Sequence, residues 1–209
     1  MIVIINPNST VAMTETLLAT ARQMMPDAQI EGWTSRDGPP AIQGAEDGAA
    51  CIPPLLALVQ KASDAGAQSI IIGCFDDTGL SEAHALADCP VIGIGEAAYD
   101  KAAQLGRFSV VTTLAVSVPV LEGNIAALGL SPFCVRVRAS GVAVLDLEDA
   151  PATSIPRVLA EAQKAVEDDD IRAIVLGCAG MVDVAASAPG FPVPLIDGLR
   201  AALERTIAL

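Results

Sequence analysis

Apolar residues along this chain come in short unbroken runs separated by longer amphipathic stretches. The runs are MIVIIN (1–6), SIIIGC (69–74), PVIGI (90–94), RFSVVTT (107–113), CVRVRAS (134–140), RAIVLGC (172–178) and VPLID (193–197). They are short, mostly rich in Val and Ile, and read as strands. Unbroken rather than alternating hydrophobicity means burial on both faces, as in a parallel sheet. Helical patterns fill the gaps. One runs from about Thr10 to Met25, another is PPLLALVQKASDAG, which Gly66 stops as a C-cap, and a third is SEAHALA. Others lie near residues 96–105, in IPRVLAEAQKAVED, and at the end of the chain. Strands alternating with helices predict an α/β fold with parallel sheets.

The pattern repeats. IIIGCF (70–75) and IVLGCA (174–179) are nearly the same phrase, and each is followed by a Pro-Val strand, CPVIGIGEAA and FPVPLIDGLRAA. The spacing from the end of VIIN to Cys74 matches that from VVTT to Cys178 within two residues. This predicts two Rossmann-like or flavodoxin-like lobes of similar topology, related by a pseudo-two-fold axis, with the active site in the cleft between them. The expected division is residues 1–96 plus 192–209 for the first lobe and 97–191 for the second. Open parallel sheets bind ligands beyond the carboxyl ends of their strands. Cys74 and Cys178 both stand at such ends.

Composition narrows the functions. Of the 209 residues 52% are hydrophobic but only 3% aromatic, so the core is aliphatic. The net charge is −13 with Lys and Arg scattered, which argues against nucleic acid as a partner. No apolar run reaches the roughly 18 residues of a membrane span, and the start lacks a basic leader segment, so a cytoplasmic protein with no membrane partner is expected. Five widely spaced cysteines (51, 74, 89, 134 and 178) and one histidine, His84, form no zinc or disulfide framework, so no metal is expected.

Two thiols at matched strand ends suit one chemistry well. A carbon acid is racemised when one group removes its proton and a second returns a proton to the opposite face. A helix N-terminus can lower a thiol pKa, and backbone N–H groups there can hold an enolate-like oxygen. Each cysteine precedes a helical pattern, with Asp76, Asp77 and Thr78 as possible caps after the first. GIGEAA (93–98) also satisfies the dinucleotide pattern Gly-x-Gly-x-x-Ala. Its next strand ends in threonines rather than an acidic residue, and Glu96 opposes a pyrophosphate, so a tight strand-to-helix turn is the preferred reading.

INPNST, GCFDDTGL, PVIGIGEAA, FSVVTTLAVSVPVLE and LGCAGM together resemble the hydantoin racemase branch of the aspartate/glutamate racemase superfamily. The resemblance implies a cofactor-independent racemase of two facing lobes acting on a small molecule, with a homo-oligomeric assembly. It implies Cys74 and Cys178 as the catalytic acid/base pair. It places Asn8, Thr112 and Thr113 along the cleft, and it implies that Phe75, Asp76, Ala179 and Gly180 hold the substrate. The family phrase after the first cysteine is Phe-Gly-Asp-Pro-Gly-Leu; here Asp76 replaces Gly and Thr78 replaces Pro. The loop GPPAIQGAEDG (38–48) is expected to cover the cleft. No arginine adjoins either motif, which favours a neutral ring, a 5-substituted hydantoin or allantoin, over a free amino acid. Amino-acid racemisation and isomerisation or decarboxylation of a diacid stand as alternatives. A ligand-binding or redox-sensing protein is the non-enzymatic one.

Overall fold

A computed structural model describes residues 1–208. The first half runs β1 (Ile2–Asn6), α1 (Val11–Met24), β2 (Ile30–Thr34), α2 (Ala45–Asp64), β3 (Ser69–Ile72), α3 (Leu80–Leu86), β4 (Val91–Gly93) and α4 (Ile94–Leu105). The second runs β5 (Phe108–Thr112), α5 (Val118–Ala127), β6 (Cys134–Ala139), α6 (Asp146–Asp149), α7 (Pro151–Asp168), β7 (Ala173–Gly177), α8 (Val184–Ser187), β8 (Leu195–Asp197) and α9 (Gly198–Ile207). Short 3-10 turns at Ala115–Ser117 and Ala179–Met181 precede α5 and follow β7.

Two parallel four-stranded sheets result, ordered β2-β1-β3-β4 and β6-β5-β7-β8. The orders are identical, and so is the pairing: Ile70 faces Val91 in one sheet as Ile174 faces Leu195 in the other. The expected fold class is the observed one.

Both sheets are covered on both faces, as their unbroken hydrophobicity requires. Ile2 and Ile4 of β1 point into a central core shared with α4, α9 and the second sheet's Val110 and Val175. Val3 and Ile5 point the other way, onto Cys51, Leu55 and Val59 of α2. In the second sheet Ile174 and Leu176 likewise turn outward onto Val158 and Ala162 of α7. The two sheets therefore share one core through the helices between them. No helix among the described residues is long and apolar enough to cross a membrane.

Three expectations need correction. Residues 192–209 were expected with the first lobe, but β8 hydrogen-bonds to β7 and completes the second sheet. Only α9 turns back, packing on α4 and α1. The boundary at 96/97 also falls inside α4, which starts at Ile94. Finally, α2 begins at Ala45 rather than at Pro53. Its buried residues Gly48, Cys51, Leu55, Val59 and Ala62 recur at helical spacing. The carbonyls that the two prolines cannot serve belong to Ala49 and Ala50, which are exposed to water.

Candidate active site

The carboxyl ends of the four central strands converge on one cavity. Asn8 reaches it from the turn after β1, and Cys74, Phe75 and Asp76 from the turn after β3. Thr112 and Thr113 come from the end of β5, and Cys178 and Ala179 from the turn after β7. Of the nine residues expected at the site, only Gly180 does not line the cavity; it lies behind Cys178, against Leu147. Sequence reasoning missed Met13, Ser117 and Val144 as wall residues. Ile42 lies in the loop expected to cover the cleft and does form part of the wall.

Each cysteine follows a glycine for a steric reason. A Cβ on Gly73 would stand 2.8 Å from the Leu17 side chain, and one on Gly177 would stand 2.9 Å from that of Val110. The chain must pass its neighbours closely to deliver each thiol to the cavity. Both cysteines then enter the same turn. The Cys74 carbonyl accepts from the Asp77 N–H at 3.1 Å, and the Cys178 carbonyl from the Met181 N–H at 3.0 Å. The backbone N–H groups of Asp76 and Gly180 lie near the sulfurs of Cys74 and Cys178 respectively and act to lower their pKa values. Gly180 thus supports a thiol rather than lining the wall.

The INPNST segment builds the opposite rim through its own amides. The Asn6 side chain donates to Asn8 Oδ1 at 2.9 Å and to Thr14 Oγ1 at 3.1 Å. Asn8 Oδ1 also accepts from the Thr10 N–H at 2.9 Å, which fixes the entry to α1. Thr10 in turn donates to the Pro40 carbonyl at 2.7 Å and tethers the covering loop. That loop reaches the second half through the Gln43 side chain, which accepts from the Val144 N–H at 3.2 Å. Thr112 donates to the Gly177 carbonyl at 2.9 Å and so braces the strand that carries Cys178.

The electrostatics differ from expectation in direction. A depressed thiol pKa was expected from helix N-termini, but α3 starts only at Leu80, and Cys178 is followed by a single 3-10 turn. Burial pushes Cys74 well up, and the nearby Asp76 carboxylate adds to this against the opposing Asp76 N–H. Burial pushes Cys178 up to about 12, with the Gly180 N–H opposing and the Asp76 and Glu148 carboxylates adding. Asp76 itself is pushed up to about 7 by burial. No Lys, Arg or His among the described residues lines the cavity.

Other features fall outside the site. Among the described residues no group of three His, Cys, Asp or Glu side chains is placed to hold a metal ion. His84 shares its Nε2 with the Val91 carbonyl at 2.8 Å. The Gly-x-Gly turn of GIGEAA already faces an anion from the chain itself, since a Cβ on Gly93 or Gly95 would run into the Asp77 carboxylate. Asp77 is thus a cap for α4, not for the helix that follows it.

Residues 2–206 match the family model described as Asp/Glu/Hydantoin racemase. A hydantoin racemase of Rhizobium meliloti is 39% identical over 211 residues, covering 99% of this chain and 87% of that protein. One of Pseudomonas sp. (strain NS671) is 35% identical over 204 residues, covering 96% of this chain and 82% of that protein. The solved structure of an allantoin racemase from Klebsiella pneumoniae superposes with a TM-score of 0.96 at 36% identity, covering 100% of this chain and 86% of that one.

Proposed function

Because the chain belongs to the Asp/Glu/hydantoin racemase family, and is therefore an isomerase of the racemase kind, we propose that it inverts C5 of a 5-substituted hydantoin or allantoin-like ring. Cys74 and Cys178 act as the acid/base pair, without a cofactor. The observation that carries this reading is their delivery, by matched Gly-Cys turns of two like sheets, to one cavity. The chain is also similar to hydantoin and allantoin racemases over nearly its whole length, and the lack of a cation in the wall among the described residues disfavours a free amino-acid carboxylate.

In the reaction, one sulfur enters as thiolate and the other as thiol. The thiolate removes the C5 proton, the electron pair moves onto the adjacent ring carbonyl, and the opposite thiol protonates C5 from the other face. The roles are then exchanged, and solvent resets the pair. Raised thiol pKa values have two consequences. Less thiolate is present at neutral pH, but each thiolate is a stronger base toward a carbon acid. Thr113 lines the cavity, and its hydroxyl serves as a donor to a ring carbonyl. Gly180 and Asp76 support the sulfurs through their N–H groups.

The test is polarimetric. Single enantiomers of several 5-substituted hydantoins, allantoin, aspartate and glutamate are followed without added metal or cofactor. Loss of rotation is expected for the ring substrates. Racemisation of the amino acids alone would overturn the ring assignment.

A further inference from the structure

We propose that Asp76 makes this cavity selective by charge: its carboxylate receives an N–H group of the substrate, neutral or cationic, and turns away substrates that bring a carboxylate to the same place. This rests on the racemase reading for what reacts, but it concerns what binds.

Asp76 stands in the cavity wall two residues beyond Cys74. It is only 8% exposed, yet its buried Oδ2 accepts no hydrogen bond from the described residues. A buried carboxylate oxygen without a donor is unfavourable, and a ligand that supplies the donor recovers that cost. The backbone of the residue is already committed. Its carbonyl accepts from the Asn124 side chain of α5 at 2.7 Å, and its N–H lies near the Cys74 sulfur, whose pKa it acts to lower. The side chain alone is left for a ligand.

The surroundings decide which ligand. The ionisable groups near Asp76 are the thiols of Cys51, Cys74 and Cys178, the Tyr99 phenol and the Asp77 carboxyl. All are acids, and no basic side chain lines the wall among the described residues. A positive or N–H-bearing group must therefore come from the substrate. A second carboxylate would meet repulsion with nothing to offset it. The corresponding turn residue of the second half is Gly180, which has no side chain, so this recognition acts from one side only. It orients a substrate whose 5-substituent or ring carries amide, ureido, ammonium or guanidinium N–H groups. Burial holds the Asp76 carboxyl up at about 7, so a bound cation favours its ionised form and a neutral donor is accepted with little penalty.

The experiment uses 5-substituted hydantoins of matched length that end in an ammonium, a ureido or a carboxylate group. Their binding to the wild-type protein, Asp76→Asn and Asp76→Gly is measured by calorimetry at pH 8, and their racemisation by polarimetry. The wild type is expected to bind the ammonium and ureido ligands about tenfold or more tightly than the carboxylate ligand, and both variants to bring that ratio within about twofold. Equal binding of ammonium and carboxylate ligands by the wild type overturns the proposal without any variant. An undiminished ratio in a folded Asp76→Asn overturns it too. Charge-ranked binding without racemisation of any ligand leaves the Asp76 proposal standing and removes the racemase reading. Racemisation of all three at equal kcat/KM does the reverse.

Discussion

Asp77 and Glu96 form a helix cap across a gap of nineteen residues: Asp77 Oδ2 accepts from the Glu96 N–H at 2.6 Å, and its Oδ1 from the Gly95 N–H at 3.0 Å. The free N–H groups and positive end of α4 are thereby met by a carboxylate from the turn that carries Cys74. Space for it exists only because residues 93 and 95 are glycine. In the second half the same need is met locally, by Asp197, whose side chain accepts from the Arg200 N–H at 2.7 Å. One half caps its helix from within. The other uses the cap to lock the turn that carries Cys74 onto the core helix.

Replacing Asp77 therefore acts on stability and on the site together. Asp77 has φ +49°, a conformation that Asn tolerates better than Ala. Asp77→Asn is expected to lose about 1 kcal/mol and Asp77→Ala about 2 kcal/mol or more in urea unfolding, with kcat reduced in the same order. Equal stability of the Ala variant and the wild type would show that the cap contributes nothing.

Asp76 sets a pH dependence of stability. Its carboxyl stands at about 7 in the folded protein against an ordinary 3.8. Between about pH 4 and 7 the folded state thus holds a proton that the unfolded chain releases, and stability falls as pH rises through that window, by up to about 4 kcal/mol. Asp76→Asn removes this share, so it is expected to be more stable than the wild type at pH 8 and similar to it at pH 4. Asp197, pushed up to about 6 by burial, contributes a decline of the same sign in both proteins. Chemical denaturation at the two pH values checks the difference.

The same residue shifts the rate profile. Its negative charge raises both cavity thiols. If one sulfur reacts as thiolate, as proposed, kcat/KM is expected to climb with pH in the wild type. Asp76→Asn removes the repulsion and is expected to move that climb to lower pH for a neutral hydantoin. A profile unmoved by the substitution would place the charge too far from the sulfurs to matter.

Much of this was legible in the sequence, because buried parallel strands leave unbroken apolar runs and duplicated turns leave duplicated phrases. The fold class and the convergence of Asn8, Cys74, Thr112 and Cys178 on one cavity follow from those signals. The strand Ile30–Thr34 left none, because it is an edge strand with one fully buried residue and a glycine at its centre. Val144 enters the wall from a loop that carries no pattern. The direction of the thiol shifts was equally hidden. It depends on how deeply the turns are buried and on which carboxylate faces the sulfurs, and neither is written in local spacing.

Cys89 and Cys134 serve as internal controls. Both are half-buried outside the cavity wall, Cys89 beside β4 and Cys134 at the start of β6. Ser at either position is expected to leave kcat/KM within about threefold, as for most substitutions remote from a site. Cys51 is fully buried on α2, facing Asp76 and Cys74, so Cys51→Ser is expected to cost stability, about 1 kcal/mol, while racemisation continues. Loss of turnover in a folded Cys89→Ser protein would show that the acid/base pair is wrongly assigned.

The two-thiol mechanism makes a sharper demand. If Cys74 and Cys178 serve opposite faces of C5, one enantiomer is deprotonated by the first sulfur and the other by the second. In D2O the newly formed enantiomer is then expected to carry deuterium early, while recovered substrate stays largely protonated. Cys74→Ser and Cys178→Ser are each expected to abolish racemisation, since a hydroxyl is far less acidic than a thiol of ordinary pKa about 8.5. Each variant retains one sulfur on one face, so each is expected to exchange the C5 proton of a single enantiomer, and the two variants are expected to choose opposite ones. Proton NMR of both enantiomers with both variants reads this directly. Exchange of the same enantiomer by both, or product without solvent deuterium from the wild type, would mean that the sulfurs do not flank the stereocentre, and the matched turns that deliver them would need another explanation.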